Sequence, residues 1–517
     1  MTATATDQAT DRAIDRSSPV AVVGTGTMGQ GIAQVALVAG HPVRLYDTAP
    51  GRAKTAADAI TARLDRLVEK GRLSAGDREA ATARLAPAET LADLAGSDLV
   101  IEAVLEQLDV KQRLFRELED VVSDACLLAT NTSSLSVTAI GGALRVPGRF
   151  VGLHFFNPAP LLPLVEVVSG FATDESAATR AYDTARAWGK TPVRCADTPG
   201  FIVNRIARPF YAEALRVYEE RAADPATIDA VLRECGGFRM GPFELTDLIG
   251  QDVNEAVTRS VWESFFQDPK FTPSLAQRRL VESGRLGRKA GQGWYAYGDG
   301  DERPEPHTAA PERAPVAVAV AGDLGPAAAL VELIREAGIE VRETTPHVSA
   351  RSGYLELPDG TWLQLTEGLA ATSALRPSLI HFDLALDYRE AGRIALAPSG
   401  LAPHDGLAAA VGLFQALGKK VSVVRDVPGL IVARTAAMLV DFAADAVSRG
   451  VASADDIDTA MRLGVNYPVG PIAWGESLSA SWVRALLEAL HLEYPSARYA
   501  PSQALIRRSE TQKASRP

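Results

Sequence analysis

Pro19-Val-Ala-Val-Val-Gly24-Thr-Gly26-Thr-Met-Gly29 decides the fold. It opens on an unbroken apolar run, the pattern of a strand buried on both faces of a parallel sheet. Gly24, Gly26 and Gly29 follow at GxGxxG spacing, and Gln30 to Ala39 has the small, apolar residues of a helix packed closely on that strand. In such a strand–turn–helix unit the first glycine makes the tight turn, the second admits a pyrophosphate to the backbone, and the third lets helix and strand approach. The helix N-terminus adds N–H donors and a partial positive charge. The spacing alone is weak in a chain with 42 glycines. Asp47 strengthens it. It ends the next strand, Val43 to Asp47, about twenty residues on, where a carboxylate can accept hydrogen bonds from a ribose. It would repel a 2′-phosphate, so the expected cofactor is NAD, held by Gly24, Thr25, Gly26, Thr27, Met28, Gly29 and Asp47.

Working outward, residues 50–70 have helical spacing, Asp98 to Val104 is a strand, 108–122 a helix and Cys126 to Thr130 a strand. Val151 to Phe156 and Leu164 to Val168 are further strands, and Asp174 to Trp188 a helix. This alternation predicts a doubly wound, Rossmann-like α/β domain over 19–198, after a polar segment 1–18 that reads as a flexible tail. From Pro199-Gly200 the pattern is helical (200–222, 225–235, 242–267), giving a helical domain over 199–297 and then a Gly/Asp/Glu/Pro-rich linker over 298–314. The second half repeats the first: Asp197-Thr-Pro-Gly-Phe-Ile-Val-Asn204 returns as Asp426-Val-Pro-Gly-Leu-Ile-Val-Ala433. Val318-Ala-Val-Ala-Gly322 resembles the first strand, but Leu324 and Ala327 stand where Gly26 and Gly29 would be. Side chains there block a pyrophosphate. Residues 315–425 are therefore expected to be a degenerate Rossmann-like domain, and 426–517 a second, non-catalytic helical domain.

The 517 residues imply several domains, and a net charge of −11 argues against a nucleic-acid partner. Cys126, Cys195 and Cys235 are too dispersed for a disulfide framework or a zinc site, so no metal is expected. The sequence contains neither a secretory leader pattern nor a membrane-length apolar run, which makes the cytoplasm the default address and no membrane partner the expectation.

Four polar residues sit in apolar or turn-forming surroundings: Ser133, His154, Glu166 and Asn204. Each has a bland reading as a turn, core or cap residue. Together they suit alcohol oxidation, with a histidine base oriented by a carboxylate and polar groups for the reacting oxygen. The segments GTGTMGQGIA, VIEAVLEQLDVK, NTSSL, GLHFFNPAP, LVEVVSG and DTPGFIVNR, in that order over 19–297, resemble the 3-hydroxyacyl-CoA dehydrogenase family. The repeated helical region makes the chain most similar to the long bacterial members acting on 3-hydroxyadipyl-CoA in phenylacetate catabolism.

The resemblance implies NAD-dependent oxidation of a (3S)-3-hydroxyacyl-CoA. His154 would be the base, Glu166 its orienting carboxylate, and Ser133 and Asn204 would hold the 3-oxygen. Glu106, Lys111, Ser133 and Asn157 would contact NAD, Lys70 coenzyme A. It also implies pairing of helical domains, in a dimer or within one chain. A distal substrate carboxylate would need a cation, with Arg205, Arg208, Arg239 and Arg259 as unranked candidates. Two departures stand out: Leu162-Pro163 replaces the family's Met-Lys, and Ala433 stands at the repeat's Asn204 position. The alternatives are a 3-hydroxybutyryl-CoA enzyme of fatty-acid or butyrate metabolism, a β-hydroxyacid dehydrogenase using a lysine, and a non-enzymatic NAD-binding protein.

Overall fold

A computed structural model describes residues 13–514 other than 349, 375 and 377. The chain divides into two compact units, one of Met1–Val203 with Arg449–Val465, the other of Asn204–Ser448 with Asn466–Pro517.

The first unit is built on β1 (Val20–Val23), β2 (Val43–Tyr46), β3 (Leu85–Pro87), β4 (Leu99–Glu102), β5 (Leu127–Thr130), β6 (Phe150–Phe155), β7 (Leu164–Ser169) and β8 (Thr191–Ala196). They form one sheet in the order β3-β2-β1-β4-β5-β6-β7-β8. β1 pairs in parallel with both β2 and β4, which places the strand-order reversal, where α/β sheets bind ligands, at its C-terminal end. β1, β4 and β5 are buried throughout, as their unbroken apolar runs require. β6 and β7 are antiparallel, so β7 and β8 run against the rest. Val20, Val22, Ile32, Leu45, Ile101, Leu153 and Val165 belong to one core that joins the sheet to its helices.

The sequence reading passed over the short edge strand β3 and the Ser74-capped helix Ala75–Ala83 that leads into it. Three residues with one half-buried side chain give no periodicity to detect. Of the segment read as a tail, residues 1–12 lie outside the described residues. Ile14 is buried in the core, and its N–H donates to Thr184 Oγ1 at 3.0 Å, so ordered chain begins before Pro19.

Helix Ala454–Gly464, from the second helical repeat, belongs to the first unit. It enters beside β8, where the Ala196 N–H donates to the Val451 carbonyl at 2.8 Å. Its far end packs closely on the sheet: a Cβ on Gly464 would stand 2.7 Å from the Leu164 side chain and 3.1 Å from that of Val203, so any larger residue would require those side chains to shift.

The second unit holds β9 (Ala317–Ala321), β10 (Glu340–Thr344), β11 (Tyr354–Glu356), β12 (Trp362–Leu365), β13 (Leu379–Phe382), β14 (Arg393–Pro398) and β15 (Lys420–Val423), in the order β10-β9-β11-β12-β13-β14-β15. β9 and β10 keep the parallel pairing of β1 and β2, whereas β11 is antiparallel to both neighbours. Leu324 and Ala327, at the places of Gly26 and Gly29, are buried. Residues 298–314 contain neither helix nor strand, yet they are tied along β15: the Ala309 N–H donates to the Val421 carbonyl, and the His307 carbonyl accepts from Ser422 Oγ.

The two helical repeats meet inside this unit through a buried charge cluster. Glu213, on helix Arg208–Glu219, is fully buried and accepts from Arg498 Nη2 at 2.6 Å, Arg434 Nε at 3.2 Å and Tyr499 Oη at 2.7 Å. Burial alone would raise its pKa, but the two guanidiniums outweigh it and hold the carboxyl below the ordinary range. Removing one member of a buried cluster leaves uncompensated charge, at a cost of about 3–5 kcal/mol. Glu213→Ala is therefore expected to lower unfolding stability by about that amount in a urea titration. A loss under about 1 kcal/mol would show that the cluster is not a major tie.

Candidate active site

The glycine turn is shaped by three different constraints. Gly24 has φ +95°, and a Cβ there would stand 2.5 Å from the Ala103 carbonyl oxygen. A Cβ on Gly29 would lie 1.8 Å from the Gly24 carbonyl oxygen, so helix Thr27–Val38 could not close on β1. A Cβ on Gly26 would meet nothing within 4 Å. Its space opens toward a cavity of about 560 Å³ lined by Gly24, Thr25, Gly26, Asp47, Arg52 and Val104. No side chain caps the helix that Gly26 begins, so its first N–H groups are left for a ligand. These features fit the pyrophosphate and ribose of a dinucleotide.

Asp47 does more than face a ribose. Its Oδ2 accepts from the Thr25 N–H at 3.0 Å and Thr25 Oγ1 at 2.7 Å, and Oδ1 accepts from the Ala49 N–H. Burial pushes its pKa up, but these bonds and Arg52 prevail, and the carboxyl stays ionised below its ordinary value. The carboxylate thus fixes the glycine turn from beneath.

The antiparallel register of β6 and β7 sets His154 directly opposite Glu166. Both are buried, and His154 Nδ1 lies 2.7 Å from Glu166 Oε2. An ionised carboxylate can only accept, so Nδ1 carries a proton, and in the neutral ring Nε2 then keeps the lone pair, the tautomer suited to a base. Glu166 Oε1 accepts from the N–H groups of Ile202 and Val203 at 3.0 and 2.9 Å. Phe156 and Phe201 flank the imidazole, with ring centroids 4.5 and 5.9 Å away.

Residues 19–198 match the NAD-binding domain of 3-hydroxyacyl-CoA dehydrogenase, and residues 200–297 and 429–517 match its C-terminal domain. Residues 363–428 match the reduced Rossmann-fold domain of 3-hydroxybutyryl-CoA dehydrogenase. The chain belongs to the 3-hydroxyacyl-CoA dehydrogenase family. It is 44% identical over 490 residues to 3-hydroxyadipyl-CoA dehydrogenase of Escherichia coli K12, covering 95% of this chain and 97% of that one. A crystal structure of 3-hydroxybutyryl-CoA dehydrogenase from the same organism superposes with a TM-score of 0.87 at 42% identity, covering 97% of this chain and all of that one. The mitochondrial hydroxyacyl-coenzyme A dehydrogenase of Sus scrofa is 40% identical over 285 residues, covering 54% of this chain and 90% of its own. The protein is an NAD-dependent oxidoreductase acting on 3-hydroxyacyl-CoA. Among the described residues, no helix is long and apolar enough to cross a membrane.

In the dehydrogenase, the loop carrying Ser133 is held by a carboxylate. Glu106 Oε1 accepts from Thr132 Oγ1 at 2.5 Å and from the N–H groups of Ser133 and Ser134 at 3.0 and 3.2 Å. Lys111, expected to touch NAD, is buried, with Nζ 2.5 Å from Glu102 Oε1 and 3.2 Å from Glu106 Oε2. It sets Glu106 in place, and its charge and the loop bonds keep Glu106 ionised against its own burial. Glu102 and Thr132 were not singled out from the sequence. Glu102 carries the signal that found Glu166, a lone charge in an apolar strand (Leu99-Val-Ile-Glu102). Asn131 Oδ1 accepts from the Phe155 N–H, tying the Ser133 loop to the strand bearing His154.

The remaining expected residues are more scattered. Asn157 is exposed just past β6, and Lys70 is exposed at the end of helix Arg52–Glu69. Asn204 belongs to the second unit, in helix Val203–Ile206.

The second repeat keeps the turn without the His–Glu pair. Strand register puts Ala395 at the place of Glu166 and Asp383 at that of His154. Asp383 accepts from the N–H groups of Ile431, Val432 and Ala433, and burial pushes its pKa up to about 6.

The glycine geometry separates two substitutions that look alike. Gly26→Ala is expected to melt within a few degrees of the parent while its NAD dissociation constant, measured by calorimetry, rises at least about tenfold. Gly29→Ala should instead lose stability, because its Cβ has no room. Equal effects on melting would contradict the separate roles.

Proposed function

We propose that the dehydrogenase oxidises 3-hydroxyadipyl-CoA to 3-oxoadipyl-CoA. The observation that carries the chemistry is the buried His154–Glu166 pair, with Nδ1 held by the carboxylate at 2.7 Å and Nε2 free to act as base. When bound, NAD supplies the acceptor for the hydride leaving C3. His154 Nε2 takes the hydroxyl proton, and Glu166 offsets the positive charge that the ring acquires. Ser133 and Asn204 hydrogen-bond the 3-oxygen as it becomes a carbonyl. Glu106 and Asn157 border the nicotinamide end of the cofactor site, and Lys70 meets a phosphate of coenzyme A. The adipyl assignment is supported by the relative whose name specifies it, which matches nearly end to end, repeat included. The 3-hydroxybutyryl name of the full-length crystal structure favours the second reading, a four-carbon substrate. Phenylacetate breakdown is the context that the first reading implies, and a cytoplasmic address belongs to either. Association of this chain into homo-oligomers through its helical domains belongs to either reading.

NADH absorbance with the two thioesters separates them. A higher kcat/KM for the adipyl compound is expected, and a higher value for the butyryl compound would overturn that choice. His154→Ala should lower kcat by about 10²–10⁴-fold on any accepted substrate. Activity within a few-fold of the parent would remove His154 from the role of base.

A further inference from the structure

Six arginines are buried among the described residues: Arg149, Arg205, Arg208, Arg393, Arg434 and Arg498. Five face a carboxylate, supplied by Glu119, Asp445, Glu234, Glu213 and, for Arg498, Glu213 again. Arg208 is the exception. It is 5% exposed, its Nη1 donates to Thr258 Oγ1 at 2.9 Å, and its Nε has no hydrogen-bond partner. Its guanidinium lies 5.0 Å from the Tyr211 ring centroid. Tyr211 and Tyr467 are the groups that most favour its charge, and burial keeps both phenols protonated. A buried cation without a counter-charge is unfavourable unless something else supplies one.

The space next to Arg208 has a size and a lining. Beside Arg208 lies a cavity of about 70 Å³ walled by Tyr211, Arg216, Thr258, Thr272 and Gln277. That is roughly the liquid volume of two waters, enough for one carboxylate group. Glu219 also borders it, but its Oε1 is turned to Ser274 Oγ and the Ala276 N–H. The Thr258 and Thr272 hydroxyls already donate to the Asn254 and Pro269 carbonyls, so Arg208 Nε is the donor left over beside a space with room for one small anion.

We infer that Arg208 receives the distal carboxylate of a dicarboxylic acyl-CoA, and so determines acyl specificity. The inference rests on the proposed role of Asn204 at the 3-oxygen. Arg208 stands four residues on in a nearly continuous helical stretch, since Ala207 between the two short helices keeps right-handed helical angles. Four residues along a helix span about 6 Å and share a face. In 3-hydroxyadipyl-CoA the distal carboxylate is three carbon–carbon bonds of about 1.5 Å from the hydroxyl-bearing carbon. That length is of the same order as the Asn204–Arg208 spacing along the helix. The other three candidates are less suited. Arg205 is paired to Asp445 at 3.0 Å, Arg259 to Glu255, and Arg239 is exposed.

The test compares 3-hydroxyadipyl-CoA with 3-hydroxyhexanoyl-CoA, which has the same chain length without the carboxylate. The readout is the ratio of the two kcat/KM values, which does not depend on the fraction of folded enzyme. In Arg208→Gln the ratio is expected to fall about ten- to hundredfold, mostly through KM for the adipyl compound, with Arg208→Lys recovering part of it. An unchanged ratio in Arg208→Gln, or a fall of both kcat/KM values in parallel, would overturn the assignment. The parent enzyme separately tests the reading beneath it: no preference for the adipyl over the hexanoyl compound would remove that reading and this inference with it.

Discussion

Glu166 is a single carboxylate asked to do two things at once. One oxygen fixes the tautomer of His154, and the other accepts two backbone N–H groups where the chain leaves the first sheet. That turn needs support. Gly200 and Phe201 both have positive φ, and a bulky residue at φ 49° carries strain of about 1–3 kcal/mol. Hydrogen bonds to a buried charge contribute about 1.5–3 kcal/mol each, so two of them exceed the strain. The same carboxylate that orients the imidazole therefore also holds the backbone from which Asn204 follows.

The second repeat shows what survives when only the structural half of that work is needed. Its turn has the same pair of positive φ values, at Gly429 and Leu430. The supporting carboxylate has moved to the neighbouring strand, onto Asp383, and the position of Glu166 is an alanine. Without a histidine to hold, a shorter side chain from the adjacent strand reaches the same N–H groups. A turn of this kind needs a carboxylate, but not one particular residue.

Much of this is legible in the sequence. The glycine turn could be read because each glycine answers a local steric demand, and Glu166 because a charge inside an apolar strand must have a partner. The repeat could be read because Pro-Gly turns recur at the same offset from a strand. What could not be read depends on register and on distant partners. That Glu106 holds the Ser133 loop, and that Lys111 serves Glu106, required knowing that β4 and β5 lie side by side. That Arg208 faces no carboxylate is a negative fact, visible only once the other buried arginines of the described residues have been matched to theirs. The tie between Glu213 and Arg498 spans 285 positions, a separation at which sequence patterns carry no signal.

Helix Ala454–Gly464 finishes the first unit although it is encoded about 250 residues after the strands it covers. A ribosome delivers an N-terminal domain first, at about 5–20 residues per second. Here the sheet that carries His154 emerges well before its last covering helix exists. For an interval of tens of seconds the nascent chain presents Leu164 and its neighbours to solvent or to a chaperone. The repeat thus makes completion of the His154-bearing unit wait on the translation of the second half.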